Sequence, residues 1–380
     1  MRLAFFTNGC QLVGSGGVQV CTHEFLELFR TIDPALQLVT YATDLGMPAR
    51  LLRRLRPSPY HRLIDRAQLR RCLGQLQEAG TSVLLLNNSD ALALAPVLRR
   101  ALPTLRLVYL SHGPVVTDVV NGQRLPLPGE GRRRPFGATA GRVLDEDLRL
   151  RRFLDGTVSI SASDDAMEDW LGSRSHIWIP RPLAARPLDL QPLPGRIGCV
   201  STLNHAPNHD GLVQLARALD ARGDVQLRLV GGPEVLGRRL AACHPSIAYL
   251  GRLSDAELAA EMASWRGVVN PIFCLARGCS MKVKTALEQG LPVLTTPIGA
   301  RGYHWDPQAL PLGDTPDALA QLVTRVALDD DAHRSALAGA ARIATLSEPQ
   351  PALVARLERF LRLLSDNDWQ PGRSMSLQPR

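Results

Sequence analysis

Short apolar runs alternate with helical patterns along the first 180 residues of the chain. A short apolar run bounded by polar turns is typical of a buried strand, and apolar residues at intervals of three and four are typical of a helix. This alternation predicts parallel sheets whose strands are joined by crossover helices. The predicted strands are 2–7, 37–42, 82–88, 105–111, 156–161 and 176–179. The predicted helices are 17–30, 62–79, 90–101 and 163–172.

Prolines interrupt the alternation in the middle of the chain. They occupy positions 180, 182, 187, 192 and 194. Because proline fixes φ and donates no backbone hydrogen bond, the segment is predicted to be extended and irregular. We interpret 181–195 as a linker between an N-terminal domain, 1–180, and a C-terminal domain, 196–346.

The alternation resumes after the linker. The predicted strands are 197–202, 225–231, 247–251, 267–271 and 292–296, and the predicted helices are 209–222, 234–242, 254–265, 280–289, 315–328 and 332–344. Each half has the size of one doubly wound, Rossmann-like sheet, so we expect an α/β protein with two such domains facing a cleft. A last helix, 350–364, is expected within 347–365, before a flexible polar tail, 366–380. Ligands of parallel sheets bind beyond the carboxyl ends of the strands, which directs the search for a site to the strand-to-helix loops.

Composition and charge narrow the class of protein. With 45% hydrophobic and 21% charged residues, the chain is predicted to be globular. No run reaches the about 18 apolar residues of a membrane span, and the first residues lack the pattern of a signal peptide. The net charge is +8, but no basic motif interleaved with aromatic residues indicates nucleic acid. We therefore expect a cytoplasmic protein.

The cysteines and lysines are distributed unevenly. Seven cysteines without C-x-x-C spacing indicate neither a disulfide framework nor a zinc site, and we expect reduced, mostly buried thiols. Only two of the 44 lysine and arginine residues are lysines, Lys282 and Lys284. Their closeness in the sequence makes this segment a candidate site.

A glycine-rich turn follows the first strand. Gly14, Gly16 and Gly17 precede an amphipathic helix, where backbone N–H groups and the helix dipole favour an anion. The turn is not G-x-G-x-x-G, so a dinucleotide-dehydrogenase interpretation is weak. A purely structural strand-to-helix turn is the alternative.

His112 follows the predicted strand 105–111 directly. A histidine at that end of a strand can hydrogen-bond a substrate hydroxyl or assist proton transfer. The alternative is a structural histidine in the core.

The loop after strand 267–271 leads into a helix that carries Lys282. Gly278, Cys279 and Ser280 precede this helix, and a lysine in its first turn beside unpaired N–H groups can hold a diphosphate. Lys284 is expected on another side of the helix, in solvent.

Four blocks of the second half resemble the group 1 (family 4) retaining glycosyltransferases, which have the GT-B fold. The blocks are CVSTLNHAPNHDGLVQLARAL, LRLVGGPE, YLGRLSDAELAAEMA and MKVKTALEQGLPVLTTPIGA, in this order between Cys199 and Ala300. In the first half only the Gly16–Gly17 turn and His112 match the family. The resemblance implies that the N-terminal domain binds the acceptor, that the C-terminal domain binds the nucleotide sugar, and that the helix within 347–365 crosses back to the N-terminal domain.

The resemblance implies a donor site and a catalytic pair. Lys282 takes the position of a phosphate-binding lysine, and His112 lies near the sugar and the acceptor hydroxyl. Gly231–Gly232 correspond to a glycine turn, and Gly251–Leu253 to the base pocket. The implied donor-binding residues are Gly16, Gly17, Asn208, Gly232, Gly251, Arg252, Gly278, Cys279, Ser280 and Thr285.

The chain departs from the family at positions that matter for the donor. Arg277 and Thr285 stand where many members carry glutamates, and Glu288 is not given their role. The family's frequent arginine and lysine after the first strand of this domain are absent; His205, Asn208 or His209 are expected to reach the phosphates instead.

Two charged segments each have a functional and a purely structural interpretation. Asp145, Glu146 and Asp147 form a D-x-D pattern, but they lie in a helix-like stretch, so a solvated face is expected rather than a metal site. The segment 49–72 is strongly basic and could bind an anionic membrane surface, or it could be an ordinary solvated helix.

The resemblance implies a retaining glycosyltransferase that needs no metal or other cofactor. It would transfer a hexose from a nucleotide-diphosphate sugar to a sugar or lipid-linked sugar acceptor, in surface polysaccharide or glycoconjugate synthesis. We expect it in the cytoplasm, with peripheral association at the inner face of the membrane. The alternatives are a non-catalytic scaffold of the same fold and a nucleotide-sugar epimerase. A bilobal solute receptor lacks the export signal that it would need.

Overall fold

The chain divides into two compact units. The structure is a computed structural model that describes residues 1–14, 16–43, 46–47, 60, 64–125, 127–128 and 136–365. Unit 1 is formed by the described residues of Met1–Val120, Arg134–Ile179 and Pro349–Arg380, and unit 2 by those of Asn121–Arg133 and Pro180–Glu348. Ser15, most of the basic segment 49–72 and the tail 366–380 lie outside the described residues.

Unit 1 is built on a parallel sheet. Within the described residues its strands are β1 Leu3–Asn8, β2 Gln37–Tyr41, β3 Val83–Asn87, β4 Arg106–Ser111, β5 Gly156–Ser159 and β6 His176–Trp178. They pair in the order β2-β1-β3-β4-β5-β6. β1 and β3 are buried throughout, because strands in the middle of a parallel sheet are covered on both faces.

The helices of the first part of the chain follow these strands. They are α1 Gly17–Ile32, α2 Arg66–Glu78, α3 Asn88–Leu92, α4 Ala95–Ala101, α5 Val115–Arg124, α6 Phe136–Arg151 and α7 Ala162–Trp170. The predicted helix 90–101 is in fact two helices, α3 and α4, and Pro96 lies in the first turn of the second. α5 and α6 were not among the predicted helices.

The prediction of a solvated face at Asp145, Glu146 and Asp147 is wrong for two of the three residues. Asp145 is exposed, but Glu146 is buried and Asp147 is completely buried. On α6, Arg151 Nη1 donates to Asp147 Oδ1 at 2.7 Å, and the same guanidinium binds both carboxylate oxygens of Glu168. The acidic residue that sequence reasoning placed in water therefore belongs to a buried ion-pair network.

Unit 2 is built on a second parallel sheet. Within the described residues its strands are β7 Arg196–Thr202, β8 Gln226–Gly232, β9 Ile247–Gly251, β10 Val268–Asn270 and β11 Val293–Thr295, in the order β11-β10-β7-β8-β9. Its helices are α8 Ala206–Asp220, α9 Glu234–Cys243, α10 Asp255–Ala263, α11 Met281–Glu288, α12 Pro316–Leu328 and α13 Asp330–Thr345.

Two close approaches fix the packing of unit 2. Gly198 on β7 lies under the ring of the fully buried Trp265, where a Cβ would come within 1.8 Å of the ring. Gly211 on α8 lies against the carbonyl oxygen of Pro271, where a Cβ would come within 1.7 Å. The second contact brings α8 against the loop that follows β10, because only glycine leaves room there.

The proline-rich segment has no regular secondary structure and belongs to unit 2. Arg186 N donates to Glu288 O, Leu188 N to Gln289 O and Gln191 N to Ala263 O. These bonds hold a segment without regular secondary structure along the surface of unit 2.

The last described helix, α14 Gln350–Ser365, belongs to unit 1. It packs on α1, and its Phe360 and Leu364 cover Gly156 on β5. None of the helices in the described ranges is long and apolar enough to cross a membrane.

The cysteines are less buried than predicted. Cys21, Cys72 and Cys199 are buried, whereas Cys274 and Cys279 are half-buried and Cys10 and Cys243 are exposed. Cys243 is the last residue of α9, and Cys10 lies in a 3-10 turn, Gly9–Gln11, that follows β1.

Candidate functional site

Lys282 and Asn208 meet at the carboxyl edge of the sheet in unit 2. The Nζ atom of Lys282 donates to Asn208 Oδ1 at 3.3 Å, and Asn208 Nδ2 donates to Thr202 O at 3.1 Å. Since the amide nitrogen is engaged by a carbonyl, the amide oxygen faces the lysine. Asn208, one of the three residues predicted to reach the phosphates, thus contacts Lys282.

The environment of Lys282 is half-buried and positively charged. Burial lowers the pKa of Lys282; the thiol of Cys199 acts in the opposite direction, and the positive charge of Arg301 lowers the pKa further. Within the described ranges, no carboxylate pairs with Lys282. A cation in such surroundings favours an anionic ligand, because the ligand would supply the missing negative charge.

The loop between β10 and α11 is held from several sides. Asn270 Nδ2 donates to Thr295 Oγ1 at 3.2 Å and to Gly299 O at 3.0 Å, while Ser280 Oγ donates to Asn270 Oδ1 at 3.4 Å. The hydroxyl of Tyr303 donates to Ser280 O at 2.7 Å. The residues just before α11 are therefore fixed in place, which is a condition for backbone N–H groups to bind a ligand.

Arg301 is a cation that sequence reasoning missed. Its Nη1 donates to Ile298 O and its Nη2 to Arg277 O, both at 2.8 Å. The side chain thus joins the loop after β11 to the loop before α11, close enough to Lys282 to affect its pKa. Its position after the end of a parallel strand was a signal that could have found it.

Arg181 supports the same loop from the proline-rich segment. Its guanidinium is buried, with Nη1 3.4 Å from Cys279 Sγ and Nη2 3.1 Å from Met281 Sδ. Because the prediction placed residue 181 in an interdomain linker, it gave Arg181 no role beside Cys279.

Gly232 and Arg252 come together at the ends of β8 and β9. A Cβ on Gly232 would lie 2.9 Å from Arg252 Nε, so the guanidinium of Arg252 crosses directly over this glycine. Gly251 has a φ of +79°, in the region that favours glycine. The hydroxyl of Tyr249 donates to Gly231 O at 2.8 Å and fixes the turn.

The prediction that Lys284 lies in solvent is wrong. Lys284 is buried, its Nζ donates to Pro182 O at 2.7 Å, and it forms an ion pair with Glu288 one turn later on α11. Glu288 also accepts from Ala184 N at 2.9 Å. Both side chains tie the proline-rich segment to α11.

The other predicted positions of unit 2 lie on or next to α8 and α11. Thr285 is half-buried on α11, one turn after Lys282. His209 is buried, and burial lowers its pKa. His205 is half-buried before the first turn of α8. The backbone of Arg277 is bound by Arg301, which fixes the chain just before Gly278.

The glycine turn of unit 1 is exposed. Gly16 precedes the first turn of α1 and Gly17 begins the helix, with no side-chain cap. Gly16 O accepts from Val20 N at 3.0 Å. An exposed helix start of this kind suits an anion, as predicted, but it also suits a plain turn.

His112 is buried at the carboxyl end of β4. Its Nε2 lies 3.1 Å from Asn87 Oδ1, at the end of the neighbouring β3, and its ring lies 6.0 Å from the ring of Phe25. Asn87 is itself completely buried. Sequence reasoning missed Asn87 because it treated the two asparagines after the apolar run as strand.

Several solved structures share the fold of the whole chain. The structure of HepE from Anabaena, in complex with UDP and glucose, is 15% identical, with a TM-score of 0.62, covering 95% of this chain and 100% of that one. A glycosyltransferase from Rickettsia africae is 12% identical, with a TM-score of 0.61 and coverages of 97% and 99%. The lipopolysaccharide outer core galactosyltransferase WaaB is 14% identical, with a TM-score of 0.60 and coverages of 96% and 100%.

The fold is GT-B. The two parallel-sheet units are its two Rossmann-like domains, as the sequence predicted. Residues 194–329 also match the family model of the group 1 glycosyl transferases. This range contains the Lys282 cluster, and it confirms the resemblance given by the four sequence blocks. A comparison with curated proteins finds no match.

Within the described part of the GT-B chain, no group of three or more histidine, cysteine, aspartate or glutamate side chains could hold a metal ion. Asp147 of the D-x-D pattern is bound by Arg151. The residues that converge at the edge of the second GT-B sheet are instead cations, amides and hydroxyls, a set that suits phosphate and sugar oxygens.

Proposed function

We propose that this protein is a glycosyltransferase that transfers a sugar from a nucleotide-diphosphate donor to an acceptor hydroxyl with retention of configuration. The observation that carries the proposal is Lys282 in the first turn of α11, beside Arg301 and without a carboxylate partner in the described residues. This cluster lies in the range that matches the group 1 family model.

The cluster would act on the departing nucleoside diphosphate. When the bond between the anomeric carbon and the diphosphate breaks, the leaving oxygen takes the electron pair. A new bond forms to the acceptor oxygen, and the proton of the acceptor hydroxyl passes to the departing diphosphate. Lys282, Arg301 and the N–H groups of α11 would stabilise the developing charge, which is the role that fixed cations and amides play in such sites. The proposed mechanism therefore needs no metal.

Donor recognition is proposed for the residues around this cluster. Asn208 orients Lys282, Gly278, Cys279 and Ser280 would offer backbone amides, and Thr285 would reach the ribose. Gly232, Gly251 and Arg252 would line the base pocket. In unit 1, Gly16 and Gly17 would approach the phosphates, and His112 would contact the sugar or the acceptor hydroxyl.

The donor is proposed to be a hexose nucleotide, and UDP is the first nucleotide to test. HepE of Anabaena was solved with UDP and glucose, and WaaB is a galactosyltransferase of the lipopolysaccharide outer core. The printed activity of WaaB supports a proposed role in surface polysaccharide or glycoconjugate synthesis, and the acceptor is proposed to be a sugar or a lipid-linked sugar.

Association with the inner face of the membrane remains a proposal. The described part of the basic segment shows Arg66, Arg70 and Arg71 exposed on α2. Exposed arginines can bind anionic headgroups within the short range that salt allows. Sedimentation with vesicles that contain phosphatidylglycerol, against vesicles of phosphatidylcholine alone, would test it.

The test of the proposed function is a turnover screen. Purified protein is incubated with UDP-, GDP-, ADP- and dTDP-hexoses, with and without a chelator, while released nucleotide and the melting temperature are measured. We expect one donor to raise the melting temperature and to release nucleotide whether or not the chelator is present. NMR of the product then decides between retention and inversion at the anomeric carbon.

Two variants test the role of Lys282 in this screen. Lys282→Ala should lower nucleotide release about 100-fold, as expected for the loss of one charge-stabilising group. Arg342→Ala, on the exposed face of α13, removes one positive charge away from the site and should leave the rate unchanged. Equal losses in the two variants would contradict the assigned role of Lys282.

A non-catalytic scaffold is the second candidate. It is favoured by Arg277 and Thr285, which stand where many family members carry glutamates, so that two charged contacts to the donor are missing. A screen in which no donor shifts the melting temperature and none is consumed would favour the scaffold. Epimerised donor without transfer would indicate the epimerase.

A further inference from the structure

Two glycines end β8, and neither position has room for a side chain. Gly231 has a φ of +133°, and a Cβ on it would come within 2.0 Å of Ser201 O on the neighbouring β7. A Cβ on Gly232 would lie 2.9 Å from Arg252 Nε. Because glycine has more backbone freedom than any other residue, this turn cannot be held by side chains of its own and depends on contacts from its neighbours.

Both carbonyl groups of the turn are bound, one from each side. Leu203 N, just after β7, donates to Gly232 O at 2.7 Å. The hydroxyl of Tyr249, on β9, donates to Gly231 O at 2.8 Å. The first bond comes from the backbone and needs no particular side chain, whereas the second needs a phenol. Tyr249 is therefore a side chain on which the orientation of the turn depends.

The ring of Tyr249 is itself fixed in place. Gly237, on α9, lies against it, and a Cβ there would come within 2.1 Å of the ring. Burial raises the pKa of Tyr249, so the phenol keeps its proton in neutral solution. Since a carbonyl oxygen can only accept, that proton lies in the bond to Gly231 O.

We propose that Tyr249 is a positioning residue that holds the Gly231–Gly232 turn in the conformation that receives the nucleoside of the donor. The inference rests on the proposed function, which assigns Gly232 and Arg252 to the base pocket. An ordered turn binds a ligand at a lower entropic cost than a turn that must be ordered on binding, so the Tyr249 hydroxyl contributes to affinity without touching the ligand. This contribution belongs to the base end of the site and not to the diphosphate end at Lys282.

Two tyrosines of unit 2 make the same kind of bond at different ends of the proposed site. The hydroxyl of Tyr303 donates to Ser280 O at 2.7 Å, just before α11 and Lys282. Tyr249→Phe and Tyr303→Phe therefore each remove one hydroxyl from one carbonyl group and leave the ring. The first variant should act on the base end of the site and the second on the diphosphate end.

Calorimetry with UDP and with inorganic pyrophosphate separates the two ends. Tyr249→Phe should raise the Kd of UDP about fivefold, the usual effect of one hydrogen bond, and that of pyrophosphate by less than about twofold. Tyr303→Phe should raise both Kd values by similar factors. If Tyr249→Phe binds UDP as tightly as the natural protein does, or loses affinity for UDP and pyrophosphate equally, Tyr249 does not position the turn for the base.

Hydrogen exchange of the protein without ligand tests the turn itself. The N–H group of Leu203 is donated to Gly232 O, so its exchange rate reports whether the turn stays in place. We expect this amide to exchange at least about fivefold faster in Tyr249→Phe than in the natural protein, and at the natural rate in Tyr303→Phe. Equal rates in Tyr249→Phe and the natural protein would contradict the positioning role.

A failure of the proposed function is distinguishable from a failure at Tyr249. If the natural protein binds none of UDP, GDP, ADP and dTDP, the proposed function is wrong, and exchange at Leu203 still decides whether Tyr249 holds the turn. If the natural protein binds a nucleotide and Tyr249→Phe changes neither its affinity nor the exchange at Leu203, the role of Tyr249 is wrong and the proposed function stands.

Discussion

The ammonium group of Lys282 donates to the amide oxygen of Asn208 across 3.3 Å, and this bond joins the first turns of α11 and α8. The two helices follow β10 and β7, which are neighbours in the sheet of unit 2. The partner of the lysine is a neutral amide, so its positive charge is not cancelled. A nucleoside diphosphate placed there would gain from that charge.

The titration of Lys282 should report this binding. Burial lowers the pKa of Lys282, and an anion beside the ammonium group would favour the charged form, so we expect added UDP to raise this pKa. Because the chain holds two lysines, protein labelled with ¹³C-lysine gives two Cε signals, which Lys282→Arg assigns. Both are followed from about pH 7 to about pH 11, around the ordinary lysine pKa.

Lys284 is the internal reference for this titration. It lies two residues from Lys282 but is bound to Glu288 and Pro182 O, away from the proposed ligand. Its signal should stay in place when UDP is added. If UDP binds by calorimetry and shifts the Lys284 signal rather than the Lys282 signal, the diphosphate does not bind at Lys282.

The second prediction concerns Gly232 and Arg252. A Cβ on Gly232 would lie 2.9 Å from Arg252 Nε, so Gly232→Ala should displace the exposed Arg252 side chain and weaken nucleotide binding roughly tenfold, about 1.4 kcal/mol. Arg252→Ala should weaken binding by a similar factor. Since both changes remove the same contact, the double variant should bind no worse than either single one.

Calorimetry with UDP on the four proteins of this cycle measures the coupling. Additive losses would mean that Gly232 and Arg252 act separately. Gly339→Ala serves as a control for a glycine that packs only within unit 2, since its Cβ would come within 2.2 Å of Ala309 O; it should lower the melting temperature instead.

The strands and their positions along the chain could be predicted, because the apolar runs are continuous and the loops between them are polar. Helix α5 was not predicted, and the burial of α6 was missed: Asp147 and Arg151 satisfy each other in the core, whereas a pattern of charges indicates solvent. The burial of Lys284 was missed for the same reason. A residue's own polarity predicts exposure, while burial of an ion pair depends on a partner that folding supplies.

The candidate site could be predicted only in part. Glycines before a helix and a lysine in its first turn carry a local signal, so Gly278 and Lys282 were found. Arg301 and Asn87 were missed, because their roles come from contacts across the sheet: Arg301 binds the carbonyl of Arg277, and Asn87 binds His112. Spacing along the sequence does not encode such contacts.

A pH-dependent contribution to stability is predicted for His176. Its Nδ1 lies 3.0 Å from Asp165 Oδ1 and its Nε2 3.7 Å from Asp169 Oδ1. The contact with the Asp165 carboxylate raises the pKa of His176, against the opposing effect of burial. Folding therefore favours the protonated ring, and this stabilisation is complete below the unfolded pKa of about 6.5 and is lost as the pH rises through the folded pKa.

Melting temperatures of the natural protein and His176→Gln should therefore differ most near pH 6 and converge toward about pH 9, above the ordinary histidine range. His23→Gln is the control, because His23 is exposed and its contact within the described residues is with a backbone carbonyl, Leu12 O. A gap that widens as the pH rises would show that the sign assigned to His176 is wrong.

The last prediction compares two ion pairs with the same helical spacing and different burial. In the pair of Lys284 and Glu288, the side chains are 10% and 14% exposed, whereas in that of Arg238 and Glu234 they are 75% and 64% exposed. Lys284→Met leaves a buried carboxylate without its cation and should lower the free energy of unfolding by about 3 kcal/mol. Arg238→Met should change it by about 0.5 kcal/mol or less.

Urea unfolding of both variants measures these differences, and a double variant separates charge from packing. Lys284→Met combined with Glu288→Leu removes both charges and should recover most of the loss, because an apolar pair can replace a buried ion pair of similar volume. If the double variant is as unstable as Lys284→Met, the stabilisation comes instead from the bonds that tie Pro182 O and Ala184 N to α11. Equal losses in Lys284→Met and Arg238→Met would mean that burial does not set the strength of these pairs.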